Sequence, residues 1–172
     1  TYGPETDDYI QAFSKAYPDY TPQDLLSIDW LFRPKTIITA DAIGGQRKAD
    51  TYVYLFTVNE RSKDNGSIRG SAHGAELKYC FDVLHHYTGQ QSEETVEKNK
   101  VWAAQMSDAW AKFAHDGNPG YIGWHPYTKE NGELWVFGGN LTGPLNNHDR
   151  QLEEIIDRHC FKQLDEFRKT HK

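Results

Sequence analysis

The chain has 172 residues, a length that favours one domain with a sizeable core. Its 25 acidic residues outnumber its 19 Lys and Arg, which argues against a nucleic-acid partner because phosphate binding needs clustered cations. No apolar run approaches the roughly 18 residues that a membrane span requires. Aromatic residues make up 13% of the chain, so we expect a core that is largely aromatic.

The two cysteines and two glycosylation sequons give information on the cellular compartment of the protein. Cys80 and Cys160 each fall on an apolar helical face, which predicts two buried free thiols and not a disulfide framework. Asn65-Gly66-Ser67 and Asn140-Leu141-Thr142 fit the N-glycosylation sequon. These triplets favour a secreted or periplasmic protein.

The first third of the chain predicts helices. Residues 4–17 form the first, with these apolar side chains on one side: Tyr9, Ile10, Phe13 and Tyr17. Another helix is predicted to start at 21–24, where Thr can cap and Pro suits the first turn. A longer apolar helix is predicted from Trp30 to Ala42, and Gly44-Gly45 ends it.

A strand and a loop then lead to a histidine. Residues 51–58 are β-branched and aromatic, which predicts a strand buried on both faces. Residues 59–72 are polar and contain Gly, so we predict a loop from the carboxyl end of that strand. A helix is predicted from His73 to His86. Its apolar face is predicted to hold Leu77, Phe81 and Leu84.

The residue pattern in the second half of the chain predicts two more helices and one strand. A helix is expected from Ser92 to His115, stopped by the Gly and Pro of 117–120. Its inner face is predicted to hold Val96, Trp102, Met106, Trp110 and Phe113. Asn131-Gly132 predicts a tight turn before a strand at 134–137. A last helix is predicted over 149–168, and its apolar stripe comprises Leu152, Ile155, Ile156, Cys160, Leu164 and Phe167. Since two strands rarely make a stable sheet alone, the pattern indicates a piece of a larger α/β protein.

His73 is the candidate catalytic residue. It lies between small residues at a predicted helix start, where a histidine ring can project into a cleft and act as a general base. The adjacent His85-His86 lacks the i, i+4 spacing of a helical zinc pair. We therefore predict neither a metal site nor a cofactor site. Glu76, one helical turn after His73, is predicted to bond backbone N–H groups of the first turn.

Five segments in order resemble a known family. His73-Gly74-Ala75-Glu76-Leu77 is similar to a His-Gly-x-Glu-Leu motif that continues into aromatic residues. The other four segments are Asp29 to Pro34, Tyr52 to Phe56, Met106 to Pro119 with its Trp-x-x-Phe-Ala-x-x-Gly-x-Pro pattern, and Trp124 to Tyr127. Together they resemble the type-B carboxylesterases, which include the cholinesterases and the para-nitrobenzyl esterases.

The resemblance implies an α/β-hydrolase in which His73 is one member of a serine–acid–histidine triad. The family nucleophile lies in Gly-x-Ser-x-Gly, and the chain does not contain that pattern. The family acid would fall upstream of Thr1. The resemblance therefore implies that residues 1–172 are the C-terminal segment of an α/β-hydrolase domain, mostly helical with about two core strands. The implied partners are an ester substrate and the remainder of the esterase chain.

Two other readings remain open. The chain is alternatively part of a catalytically inactive cholinesterase-like module for binding or adhesion. A third reading is a carbohydrate-binding domain, which requires a row of exposed Trp residues. Against that reading, we predict the following aromatics in the core: Trp102, Trp110, Phe113 and Trp124. Because the strand at 51–58 lacks neighbours, we also expect the isolated chain to self-associate.

Overall fold

The computed structural model describes most of the chain. The described residues are 3–18, 20, 32–46, 48–58, 60–61, 68–69, 71, 73–86 and 93–170. Within these, only the backbone is described for 60–61, 68–69, 93–94, 140, 160–168 and 170. The predicted helix start at 21–24 lies outside the described residues, as does the predicted start at Trp30.

The described elements follow in chain order. They are α1 (Thr6–Ala16), α2 (Arg33–Gly44), β1 (Tyr54–Phe56), β2 (Glu60–Arg61), β3 (Ile68–Arg69), α3 (Leu77–Cys80), α4 (Glu93–Asp116), β4 (Glu133–Phe137), β5 (Gly143–Asn146) and α5 (Arg150–Thr170). They form two compact units, of which the first comprises 1–49, 128–132 and 147–172, and the second 50–127 and 133–146. Among the helices that the structure describes, we find no candidate for a membrane span.

The first unit is helical, with a core between α1 and α5. That core consists of Tyr9, Ala12, Phe13, Leu152, Ile155 and Ile156. The predicted stripes are therefore confirmed for most of α1 and for the first half of α5. Ile10 is an exception, because it is exposed. The side chains of Cys160, Leu164 and Phe167 lie outside the described part of α5.

Helix α2 ends as predicted but is not apolar on one face. Gly45 donates its N–H to the carbonyl oxygen of Asp41, which closes the last turn. Ile38 and Ile43 are about half exposed, whereas Arg33 is buried in the first turn. The apolar residues of this segment are distributed around the helix axis, so the predicted helix is present over Arg33–Gly44 without a single apolar stripe.

A three-stranded sheet organises the second unit. Its order is β1-β4-β5, with β1 parallel to β4 and β4 antiparallel to β5. The sequence missed β5 because it contains Gly143 and Pro144, which are rare inside strands but tolerated at a sheet edge. The strand predicted over 51–58 is hydrogen-bonded as a strand only over Tyr54–Phe56, and these residues are half-buried. Burial on both faces is therefore wrong for Tyr54–Phe56 among the described residues, although Val53 and Val58 beside them are buried.

Helix α4 packs beside α3 with part of the predicted face, because Met106 belongs to the core cluster and Trp102 and Trp110 pack against it. Ala103, Met106 and Ala109 are fully buried, while Trp102 and Trp110 are half-buried and Phe113 is exposed. The core is aromatic, as expected, and includes Tyr79, Trp124, Trp135 and Phe137.

Candidate active site

The segment before His73 starts from a well-fixed strand end. Thr57 donates its N–H to the carbonyl oxygen of Phe137 at 2.8 Å, and Ser71 Oγ donates to the carbonyl oxygen of Val58 at 3.0 Å. Gly138 has φ +115°, and a Cβ atom at Gly138 would lie 2.6 Å from the backbone nitrogen of Val58. Only a glycine allows β4 to end this close to the segment that follows β1. Between Val58 and Ser71, the short β2–β3 hairpin falls within the predicted loop.

His73 is exposed at the start of a turn over residues 73–76 that directly precedes α3, and the rest of the turn is half-buried. Gly74 adopts φ +77°, a conformation that a glycine reaches without strain, and its carbonyl oxygen accepts the N–H of Leu77 at 3.3 Å. The predicted location of His73, in a turn after the strand and at the surface, is confirmed. Its catalytic role stays a prediction.

The helix after His73 is shorter than predicted, and its apolar face is different. It spans Leu77–Cys80, and Asp82 then adopts the left-handed conformation at φ +50°. Leu77 is 52% exposed and Phe81 is 72% exposed, so of the three predicted face residues only Leu84 is buried. The prediction assumed one continuous helix, but the break at Asp82 allows Leu84 to reach the core while Phe81 remains outside.

Tyr79 anchors α3 under the turn of His73. Its ring lies 5.0 Å from the ring of Phe56 in β1, and its side chain is fully buried beside Met106 in the same core cluster. A large buried aromatic residue of this kind holds the short helix in place through apolar burial. His73 itself is therefore exposed, while the helix that follows its turn, α3, is packed in the core.

Glu76 does not act as the predicted capping side chain. It is the residue before α3, and its side chain makes no capping hydrogen bond; its carbonyl oxygen instead accepts the N–H groups of Tyr79 and Cys80.

Burial, with a further contribution from the charge of Glu76, raises the pKa of Cys80 to about 11. The same two effects raise the pKa of Tyr54 to about 12. Cys80 is thus a buried, protonated thiol at neutral pH, which confirms the predicted free thiol and makes it a poor nucleophile.

The other histidines of the second unit have surface positions. His85 and His86 are both exposed, with ring centroids 4.0 Å apart. His115 is exposed and lies beside the carboxylate of Asp116. In the part of the chain that the structure describes, no group of three or more His, Cys, Asp or Glu side chains is arranged to hold a metal ion.

The sequence analysis missed a buried charge cluster in the first unit. Arg33 donates from Nη2 to Asp149 Oδ1 at 2.7 Å and from Nε to Asp149 Oδ2 at 3.1 Å. Tyr17 donates its hydroxyl to the same carboxylate at 2.9 Å, and Glu153 Oε1 lies 3.7 Å from Arg33 Nε. The available signal was the spacing of Asp149 and Glu153, since Asp149 directly precedes α5 and Glu153 lies one turn later, beside the apolar Leu152.

The pKa values in this cluster follow from burial and from the charge of Arg33. Burial alone would raise the pKa of Asp149, but the charge and hydrogen bonds of Arg33 outweigh burial and hold that pKa below its usual value. Burial beside Asp149 raises the pKa of Tyr17 well above 10. Burial, with a further contribution from Arg33, lowers the pKa of His148. The cluster is a bidentate ion pair inside a helical core, remote in sequence from His73, and we assign it to stability.

An aromatic groove lies between β1 and α4 in the second unit. It has a volume of about 200 Å³ and is lined by Tyr52, Tyr54, Ala109, Trp110, Phe113, Pro119 and Trp124. Trp124 is buried, and its Nε1–H donates to the carbonyl oxygen of Val53 at 3.1 Å, so its predicted core position is confirmed. Phe113 is 46% exposed, which makes its predicted core position wrong. The four described Trp residues are buried or half-buried, so they do not form the exposed row that a carbohydrate platform needs.

Comparisons with known proteins agree with the resemblance seen in the sequence. A family model described as the carboxylesterase family matches residues 13–153. The fold is similar, with a TM-score of 0.73 over 90% of this chain, to an esterase from anaerobic Clostridium hathewayi that can hydrolyse aliphatic aromatic polyesters. The two are 22% identical, and the chain spans 30% of that esterase's length. A search of curated proteins gives no match. The likeness confirms the predicted fold class, part of an α/β-hydrolase fold.

Proposed function

Because the chain belongs to the carboxylesterase family, we propose that it forms the C-terminal part of a serine carboxylesterase and supplies the catalytic histidine, His73. One observation carries the proposal. His73 is exposed on a turn that follows the carboxyl end of the parallel strand β1 in the sequence. The helix directly after that turn, α3, packs in the core. In open α/β sheets, reacting groups gather at the carboxyl ends of the strands.

The proposed chemistry gives His73 two proton transfers. A serine hydroxyl becomes an effective nucleophile when a base accepts its proton, and the same base then protonates the leaving alcohol. A carboxylate on the second ring nitrogen would fix the tautomer of His73. Backbone N–H groups would stabilise the oxyanion by about 3–4 kcal/mol per donor. In this proposal the serine, the carboxylate and the oxyanion donors belong to segments outside this chain.

The surroundings of His73 support a neutral ester as the substrate. Leu77 and Phe81, which follow His73 at intervals of four residues, present apolar surface to solvent. The one described thiol of this unit is protonated at neutral pH and buried, so it does not compete as a nucleophile. An exposed base beside apolar surface suits acyl or alcohol groups without charge.

The alternative function is a catalytically inactive binding or adhesion module of the same family. The chain spans 30% of the length of the similar esterase, so the segment that distinguishes the two functions lies outside it. An upstream segment with that motif and a following Glu or Asp favours the enzyme, and an upstream segment without them favours the module.

Two experiments test the proposal. The isolated chain should turn over an aryl acetate no faster than free imidazole does, and a fluorophosphonate probe should not label it. Stoichiometric serine labelling would show a nucleophile within the chain and would contradict the proposal.

The second experiment uses the longer protein in which this chain follows the nucleophile segment. His73→Ala should lower turnover by about four orders of magnitude or more, because triad members act as a unit. His115→Ala is the matched control, since it removes another exposed histidine and should leave turnover unchanged. Near-normal turnover in His73→Ala would refute the assignment and leave the inactive module.

A further inference from the structure

His148 is a half-buried histidine in the short segment between β5 and α5. Its ring lies 5.3 Å from the ring of Tyr17 and is nearly perpendicular to it. Its Nε2 atom is buried and makes no hydrogen bond to any residue that the structure describes. A neutral imidazole carries one N–H, whereas an imidazolium carries two and a full charge. Protonation of His148 would therefore bury a charged donor with nothing to accept it, which is costly.

The backbone is held in place on both sides of His148. Asn147 adopts the left-handed conformation at φ +49° and donates its N–H to the carbonyl oxygen of Gly132 at 3.1 Å. Asp149, on the other side, accepts both hydrogen bonds of the buried guanidinium of Arg33. A backbone shift that exposes the imidazole must therefore break the contacts of one of these neighbours.

The groups around the imidazole come from α1, α2 and α5. Burial has the largest effect on the pKa of His148 and lowers it; the carboxylate of Asp149 raises that pKa, and the guanidinium of Arg33 lowers it. Asp149 is a weak partner for an imidazolium because its carboxylate already accepts bonds from Arg33 and from the hydroxyl of Tyr17. The second carboxylate, Glu153, faces Arg33 Nε at 3.7 Å.

The charges of the partners do not follow the imidazole in weak acid. Asp149 has a pKa below its usual value and stays ionised. Arg33 and Tyr17 have raised pKa values and keep their protons. An imidazole has an ordinary pKa near 6.5, so His148 is the member of this group that gains a proton when its surroundings open to water.

We propose that His148 is a pH-sensitive switch: protonation of its imidazole displaces the ring from Tyr17 and undocks the first turns of α5 from the end of α1 and the start of α2. The open form binds the proton more tightly than the closed form, because the pKa of His148 is lowered only when the ring is buried. The open form therefore gains population as pH falls below 6.5. The switch belongs to the first unit and does not depend on the proposed esterase function.

Amide hydrogen exchange on the full chain, corrected for the pH dependence of the intrinsic rate, measures the opening. Uptake of one proton limits the change in the opening equilibrium to about tenfold per pH unit, so we expect a severalfold rise in the first turns of α5 between about pH 7 and about pH 5.5. Helix α4 and strand β4, in the second unit, should keep constant protection. An equal rise in both units would show general acid unfolding and would overturn the proposal.

A pair of histidine variants identifies the titrating group. His148→Gln replaces the imidazole with a neutral side chain, so opening of α5 should no longer depend on pH over this range. His115→Gln is the matched control, because it removes an exposed histidine and should keep the full acid response. An acid response of α5 that survives in His148→Gln would refute the role of His148.

A titration of the unmodified chain decides the matter if His148→Gln does not fold. The C–H resonances of the His148 ring, followed by NMR against pH, should change with the same midpoint as the exchange of the first turns of α5. Protonation of His148 with no change in the exchange of α5 would show that the ring accepts its charge in place, and the proposed switch would be wrong.

Discussion

Substituting Asn for Asp149 should destabilise the protein strongly, because it leaves the buried guanidinium of Arg33 without its bidentate partner. Breaking a buried ion pair on one side costs about 3–5 kcal/mol. The carboxylate of Glu153, 3.7 Å from Arg33 Nε, still offsets part of the charge, so we expect about 3 kcal/mol, the lower end of that range. For a chain of this length, that corresponds to a fall in Tm of about 6–12 °C.

Thermal unfolding at pH 7, followed by far-ultraviolet circular dichroism, measures the effect. Asp108→Asn is the matched control, because Asp108 and Lys112 form an exposed ion pair at 2.7 Å and the Tm should not change measurably. The triple variant Arg33→Met, Asp149→Leu and Glu153→Gln should be more stable than Asp149→Asn, since it removes all three buried charges together. The reasoning fails if Asp149→Asn loses no more stability than the control, or if the triple variant is less stable than Asp149→Asn.

The remaining predictions concern pH, the core and one glycine. Because His148 has a pKa below 6.5 in the folded protein, its contribution to stability is present above pH 6.5 and is lost as pH falls. The pKa of Tyr17 lies above 10, so its contribution is present below pH 10 and is lost as pH rises through the folded pKa. Tm measured across a pH series should therefore peak between 6.5 and 10, and an unchanged Tm in acid would contradict this. Tyr79→Ala should cost about 3–5 kcal/mol in urea unfolding, whereas Phe81→Ala, which changes a 72% exposed ring, should cost much less. Gly138→Ala should cost more than about 1 kcal/mol in the same assay, because its Cβ would meet a backbone nitrogen at 2.6 Å.

Local patterns predicted the elements that depend on local physics. The spacing of apolar residues located α1 and the first half of α5, because a helix buries one side wherever a neighbour covers that side. The run Leu134 to Phe137 became the central strand β4, which is buried as a continuous apolar run predicts. The glycine beside His73 located an exposed turn, since a glycine permits the backbone conformation that the turn adopts.

Strand β5 and the exposed positions of Leu77 and Phe81 depended on the tertiary structure. Pro144 argues against a strand in isolation, yet β5 forms because β4 supplies hydrogen-bond partners on one side only. Leu77 and Phe81 have the spacing of a buried face, but α3 ends at Cys80 and both side chains lie at the surface. Burial is a property of what packs against a side chain, and the spacing of residues along the chain does not specify that neighbour.

The sequence by itself determined the family, the order of most elements and the turn that presents His73, because motifs, helical periodicity and glycine conformations act over short separations. Only the tertiary structure decided which residues meet when they are far apart in the sequence. Arg33 and Asp149 are 116 residues apart, and their pairing exists only when α2 and α5 pack together. The place of β1 at one end of the described sheet is likewise not specified by its sequence, since the same apolar strand could lie between two neighbours.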